Sequence, residues 1–237
     1  MTMEVLLTKQ QITTARQTLL EKGISALDSP TRGLLRSLRL VRSVPVGDDQ
    51  KSWDVLAAIE FLERHVGRDE PIADIGCFAS EVLISLHKLG YTRLTGIDLN
   101  PRLADMPYSD AIRYEVSDFM KTPFPDGSFK AITSISVIEH GFRPEALLSE
   151  MSRLLQPGGY FVSSFDYWPD KIDTTGTTFF GMDWLIFSRQ DVERFIELAA
   201  SFGLAPTGPL EFASKDKVIS CAGKDYTFAT LVLRKAA

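Results

Sequence analysis

Cysteine is nearly missing from this 237-residue chain, which has only Cys77 and Cys221. Two distant thiols build no disulfide framework, and without a Cys-x-x-Cys pair or a Cys/His cluster there is no zinc-ligand spacing, so no metal is expected. Histidine is almost as scarce, and His65, His87 and His140 are scattered. Excess positive charge is missing too: 26 Lys and Arg stand against 31 Asp and Glu, a net charge of −5. That balance lacks the electrostatic footprint of a nucleic-acid binder. The local crowding of Arg32, Arg36, Arg39 and Arg42 reads as a solvated helix face. No apolar run approaches the ~18 residues that span a bilayer. The opening MTMEVLLTKQ lacks the charged start and apolar core of a secretory signal. A cytoplasmic protein without membrane or nucleic-acid partners is expected, its few thiols suiting a reducing compartment.

What is present is an ordinary globular composition, 44% hydrophobic and 24% charged. Residues 1–50 read as an N-terminal helical extension whose helices offer a surface through which two copies could pair. Residues 51–237 read as one α/β domain. Ser52 caps a predicted helix over residues 52–66, with Val55, Leu56, Ile59, Leu62 and Val66 on one face. After Pro71, strands alternate with helices. Strands are predicted at 72–75, 94–97, 112–116, 130–136 and 160–165, and helices at 80–89, 144–155 and 188–202. Two last strands fall at 210–213 and 226–233. Such alternation implies parallel strands with crossover helices. The stretch 100–110, with Pro101 and Pro107, is too short for a crossover helix and reads as a loop or single turn. Residues 166–187 form an aromatic insert without a clean period.

In an open parallel sheet, ligands bind at the carboxyl ends of the strands. The first strand ends in Asp74-Ile75-Gly76-Cys77, the second in Asp98-Leu99-Asn100, the third in Asp118-Phe119, and the fourth in Ser136 through Glu139-His140. Three acids at three successive ends suit a nucleoside better than a phosphate. Asp98 can accept from two ribose hydroxyls. Gly76 permits close backbone approach. Asp118 can accept from an adenine amino group, with Phe119 beside the ring. Taken alone, Asp74 reads as a helix-entry cap, Asp118 can be a turn residue, and Cys77 reads as a small packing residue rather than a nucleophile.

The ordered segments PIADIGCFAS, GIDLN, VSDFMKTPFPDGSFKAITSISVIEH and LLQPGGYFVSS resemble the successive motifs of class I S-adenosylmethionine-dependent methyltransferases. The resemblance covers roughly residues 70–165. It implies a Rossmann-like three-layer α/β sandwich around a mostly parallel seven-stranded sheet whose last strand is antiparallel. It also implies S-adenosyl-L-methionine as cofactor, with Asp74, Gly76 and Cys77 along its methionine portion. Asp98 would meet its ribose, and Asp118 and Phe119 its adenine, with Leu99 and Ser136 as further cofactor-binding residues. Phe78 and Ser80 stand where the family usually has further glycines. The same departure argues against a dinucleotide enzyme, which needs a glycine-rich turn to seat a pyrophosphate.

Methyl transfer is an in-line displacement at a sulfonium-bound carbon, and a hydroxyl acceptor benefits from a general base. His140 is the expected general base, with Glu139 beside it as the other expected catalytic residue. The insert supplies Tyr167, Trp168, Phe180 and Trp184 as an expected acceptor surface, interleaved with Asp166, Asp173 and Asp183. Rings that cover apolar sugar faces and carboxylates that accept from hydroxyls suit a sugar or polyol. The segment from FDYWPDKID through MDWLIFS also resembles glycan-cluster methyltransferases of bacteria. The fourth strand lacks the Asn/Asp-Pro-Pro-Tyr signature of base-amino methylation, so a small molecule is the expected substrate. Amine, lipid or peptide acceptors, a non-catalytic cofactor-binding protein, and a nicotinamide-dependent oxidoreductase are the competing readings.

Overall fold

A computed structural model describes residues 2–27, 37–38 and 44–237. The expectation placed on Arg32, Arg36, Arg39 and Arg42 lies outside the described residues.

The apolar runs after Pro71 become strands because neither face of their sheet is left to water. Ile72–Ile75 (β2) is buried at every position and lies at the sheet centre. It pairs in parallel with Leu94–Asp98 (β3) on one side and Phe129–Ile135 (β5) on the other. Ile112–Val116 (β4) extends the sheet beyond β3, and Leu155–Tyr167 (β6) extends it beyond β5, both in parallel. Lys224–Lys235 (β11) then runs antiparallel to β6. The last strand therefore runs antiparallel to its neighbour, as expected.

Helices cover both faces. Leu147, Leu148, Met151 and Leu154 of Pro144–Leu154 (α4) pack on one side with Val192, Phe195 and Ala199 of Arg189–Ser201 (α5), against Ala73, Ile75, Ile132 and Phe161 of the sheet. Val55, Ile59 and Leu62 of Ser52–His65 (α2), with Val82, Leu83 and Leu86 of Val82–Lys88 (α3), pack on the other side against Ile72, Leu94 and Ile112. Ser188 caps α5 with a reciprocal box to Asp191, which satisfies backbone donors at the helix start.

Three local expectations need correction. Among the described residues the sheet has nine strands rather than seven. One of the additions is Met3–Val5 (β1), which pairs antiparallel with β11 at Leu231 to Ala229. The helical extension thus opens on a strand too short to show alternation, before Lys9–Glu21 (α1) begins. The strand after α5 is Leu204–Pro206 (β9), and Leu210 makes only a lone bridge to Met3. Gly203, at φ +73°, ends α5 and turns the chain straight into pairing with β11. Ile219–Cys221 (β10) adds a hairpin to β11. Finally, Ser52 does not cap α2. Its hydroxyl donates to the Asp49 carbonyl and accepts from Arg16 Nε at 2.9 Å. The stretch 100–110 contains a 3-10 turn over Pro101–Asp105, in line with its two prolines.

Candidate active site

The carboxyl ends of β2, β3, β4 and β5 open on one edge of the sheet. Asp74 closes β2 and is 1% exposed. Its Oδ1 accepts from Thr133 Oγ1 at 2.7 Å, while its Oδ2 has no hydrogen-bonding partner among the described residues. Burial pushes this carboxyl up to about 7, against the pull of the Thr133 and Ser80 hydroxyls. An oxygen without a geometric hydrogen bond in a buried place can accept from an external donor. Gly76 follows at φ +66°, and a β-carbon there would stand 2.4 Å from Val137 Cγ2. The glycine is therefore required by the loop after β5 as well as by its own backbone.

Asp98 ties two loops together. Its Oδ2 accepts from the Phe78 amide at 3.0 Å and its Oδ1 from the Asn100 amide at 2.8 Å. A carboxylate has about four lone-pair sites, so two remain for a diol. Leu99, 59% exposed, offers an apolar face beside it. Asp118 accepts from the Met120 amide at 2.8 Å and faces Arg143 at 3.6 Å, with the half-buried Phe119 next to it. The Cys77 side chain is turned away from this edge. It is buried against Gly96, whose missing β-carbon leaves room for Sγ and for the Tyr114 ring, and burial pushes the thiol well up.

A second group of polar side chains collects around the ends of β5 and β6. Ser136 sits at φ +50° and accepts through Oγ from Lys51 Nζ. Lys51 belongs to a 3-10 turn, Asp49–Lys51, just ahead of α2, and its ammonium lies 3.4 Å from the Phe228 ring centroid. Asp54, on α2, is fully buried and accepts from Ser164 Oγ at 3.0 Å, leaving Oδ1 unpartnered among the described residues. Burial holds it up at about 6. Asp166 of β6 accepts from Trp184 Nε1 at 2.7 Å, with the Tyr226 hydroxyl as a second donor. Glu139 is 1% exposed, and its Oε2 is unpartnered among the described residues. Burial, and then the neighbouring Asp166 charge, raise it well above the ordinary carboxylate range. His140 is pulled down to about 4 by burial, with Lys51 acting in the same direction, so its imidazole is neutral near pH 7.

The insert closes over this group through a two-stranded hairpin, Thr178–Phe179 (β7) with Met182–Asp183 (β8). The Leu185 amide donates to the Glu139 carbonyl at 2.8 Å, and the His140 ring meets Phe179 and Phe180 edge-on at 5.7 and 5.8 Å. Phe180 is 87% exposed at the hairpin tip. Trp184 is enclosed and acts on the site through Asp166 rather than by a free ring face. Trp168 is half-buried, with the Lys217 ammonium 4.9 Å from its ring centroid. Tyr167 is a correction: it is fully buried in the core beneath α5, and its hydroxyl donates to the Phe212 carbonyl at 2.9 Å. Lys51 and Asp54 were missed by sequence reasoning. The signal for Asp54 was its place ahead of Ala58 and Phe61 on a core-facing helical stripe. Among the described residues there is no three-residue metal-ligating group, and no helix is long and apolar enough to cross a membrane.

Residues 73–163 match the family described as Methyltransferase domain. Over 98 residues the chain is 32% identical to a sterol 24-C-methyltransferase of Gibberella zeae, covering 38% of this chain and 26% of that protein. Over 106 residues it is 31% identical to a ubiquinone biosynthesis O-methyltransferase of Xanthomonas oryzae, covering 41% of this chain and 44% of that protein. The chain thus spans less than half the length of these curated relatives. Among solved structures, it is similar to the geranyl diphosphate C-methyltransferase of Streptomyces coelicolor, determined with Mg2+, geranyl diphosphate and S-adenosyl-L-homocysteine. That likeness has a TM-score of 0.57 at 20% identity and covers 76% of this chain and 80% of that one. The (4+2)-cyclase SpnF has a TM-score of 0.61 at 15% identity, covering 100% of this chain and 99% of that one. A cyclase on the same fold means that the fold does not by itself define the reaction.

Proposed function

We propose that this chain, which carries a class I S-adenosylmethionine-dependent methyltransferase domain, transfers a methyl group to a hydroxyl of a sugar or polyol-like small molecule. The observation that carries the reading is the buried polar cluster beyond β5 and β6, which gathers Glu139, Asp166, Asp54, His140, Lys51 and Tyr226. A polyhydroxyl acceptor exchanges its bonds to water for bonds to such groups, whereas an alkene leaves them desolvated and unpaired.

The residues at the strand ends fit the cofactor. The unpartnered Asp74 Oδ2 suits an ammonium, the spare lone pairs of Asp98 suit a ribose diol, and Leu99 offers an apolar face for a base. When bound, S-adenosyl-L-methionine supplies an activated methyl on a sulfonium. The chain then has to orient the acceptor, exclude water and take one proton. Glu139 suits the last task, because a carboxylate with a raised proton affinity is a stronger base. Neutral His140, too weak a base in this setting, orients the acceptor through a hydrogen bond.

Production of S-adenosyl-L-homocysteine against free sugars, nucleotide sugars, phenols, amines and peptides tests the reading. Turnover only with amines or peptides would sink the hydroxyl assignment. Turnover with no acceptor would favour a cofactor-binding protein without catalysis.

The cofactor assignment carries its own pH dependence. Asp74 must be ionised to hold an ammonium, and below about 7 it is protonated. Binding there must expel a proton, so affinity is expected to rise with pH by roughly tenfold per unit until about 7, then level off. Calorimetry in buffers of different protonation enthalpy should register proton release on the acid side alone. Asp74→Asn should bind weakly and without this dependence. A flat affinity in the unsubstituted protein would remove Asp74 from the ammonium.

A further inference from the structure

We propose that Lys51 is a positioning residue that supplies the positive charge against which the Glu139–Asp166 pair works, and so sets the pH at which methyl transfer switches on. The inference rests on the reading that Glu139 takes the acceptor proton.

The geometry is unusual for a lysine. Its Nζ is drawn in over the Phe228 ring and held on Ser136 Oγ, beside the end of β5, instead of reaching into solvent. The turn that carries it is fixed from behind. The Asp48 carboxylate accepts from the Gln50 amide at 2.9 Å, and the Lys51 amide donates to the Asp48 carbonyl at 3.0 Å. Arg16 bonds Ser52 Oγ and pairs with Asp49 at 3.2 Å. The lysine therefore has a built anchor at both ends.

The titratable groups around it come from every element packed against the site. Asp54 comes from α2, Glu139 and His140 from the loop after β5, Asp166 from β6, and Tyr226 from β11. Lys51 Nζ is held on Ser136 Oγ, the Ser136 amide donates to the Ser164 hydroxyl that in turn donates to Asp54, and the Phe228 ring under the ammonium belongs to the register partner of Asp166, so the ammonium sits among the residues that carry the buried carboxyls. Taking several charges out of water together is costly, so the carboxyls hold protons in excess of their ordinary behaviour. Burial is the main cause for each of the three, and Lys51 opposes it in each. Among the described residues, Lys51 acts on all three carboxyls and on His140 in the direction of less proton binding.

The sign follows. Without the ammonium the carboxyls bind protons more tightly, and the base is ionised only at higher pH. The acid limb of kcat should move upward. In Lys51→Met, S-adenosyl-L-homocysteine formation is expected to fall about tenfold near neutral pH for each unit the limb moves. The fractional loss should shrink as pH rises. Lys51→Arg, which keeps the charge, should leave the limb near its original place. Lys51→Gln keeps a polar head for Ser136 and replaces the Met variant if that one fails to fold.

A loss of rate equal at every pH, in Lys51→Met or Lys51→Gln, would overturn the proposal and reduce Lys51 to a packing role. Glu139→Gln, measured alongside, separates the two ideas. If it keeps full rate, the underlying base assignment has failed. If it loses rate while the Lys51 variants leave the limb unmoved, the Lys51 proposal alone has failed.

Discussion

Replacing Glu139 by Gln is expected to lower kcat by about 10²- to 10⁴-fold, the usual contribution of a general base. The substitution keeps the shape of the side chain and removes only its charge. The Leu185 amide bonds the Glu139 backbone carbonyl, so the loop retains its anchor to the insert. A neutral amide also relieves the repulsion from Asp166, so folding should hold or improve. Affinity for S-adenosyl-L-homocysteine should change little, because the groups assigned to the cofactor sit at the ends of β2 and β3. Single-turnover rates and calorimetry on the same preparation would separate chemistry from binding. A near-normal rate in Glu139→Gln, together with an inactive His140→Asn, would return the base role to the imidazole.

The largest expected loss of stability lies elsewhere, at Arg16. Its guanidinium meets Glu81 through two bonds, Nη2 to Oε1 at 2.6 Å and Nη1 to Oε2 at 3.1 Å. The side chains are 8% and 1% exposed. Removing one partner of such a pair strands the other charge in a dry place, which costs about 3–5 kcal/mol. In Arg16→Met, Glu81 retains only the Ala26 amide, at 3.0 Å, among its described partners other than the lost arginine. Denaturant melts should register the loss, and adding Glu81→Gln should restore part of it. If Arg16→Met proved as stable as the parent, the pair would belong with exposed ion pairs, which contribute little. The site should suffer as well. Glu81 stands at the entrance to α3, at the end of the loop that begins at Gly76, and Arg16 also steadies the turn bearing Lys51.

The central strands and their acidic ends were legible because each strand is a short apolar run closed by a polar residue. The spacing from Asp74 to Asp98 leaves room for one helix and two loops. What escaped was whatever depends on the third dimension. Lys51 and Asp54 lie ahead of all the recognisable motifs, and only the docking of α2 on the sheet brings them to the ends of β5 and β6. Met3–Val5 is three residues long and shows no period. Tyr167 is the instructive error, since strand parity could have decided it. Successive residues of a strand point to opposite faces. Ser164 and Asp166 share the side of Asp54 and Trp184, so Phe165 and Tyr167 had to face the core beneath α5. Choosing the ring over the acid at adjacent positions selected the wrong face.

The pairing of β1 with β11 also orders events in time. The Thr227 hydroxyl donates to the Leu6 carbonyl across 221 residues of chain. A ribosome emits Leu6 well before Thr227 exists, so this edge of the sheet has no partner while the residues between them are being made. Contacts of such separation close slowly, because the loop entropy is lost before any bond repays it. The β1 segment is thus seated only after β11 has been made, and α1, with Arg16 on it, cannot take its final place against a complete sheet before then.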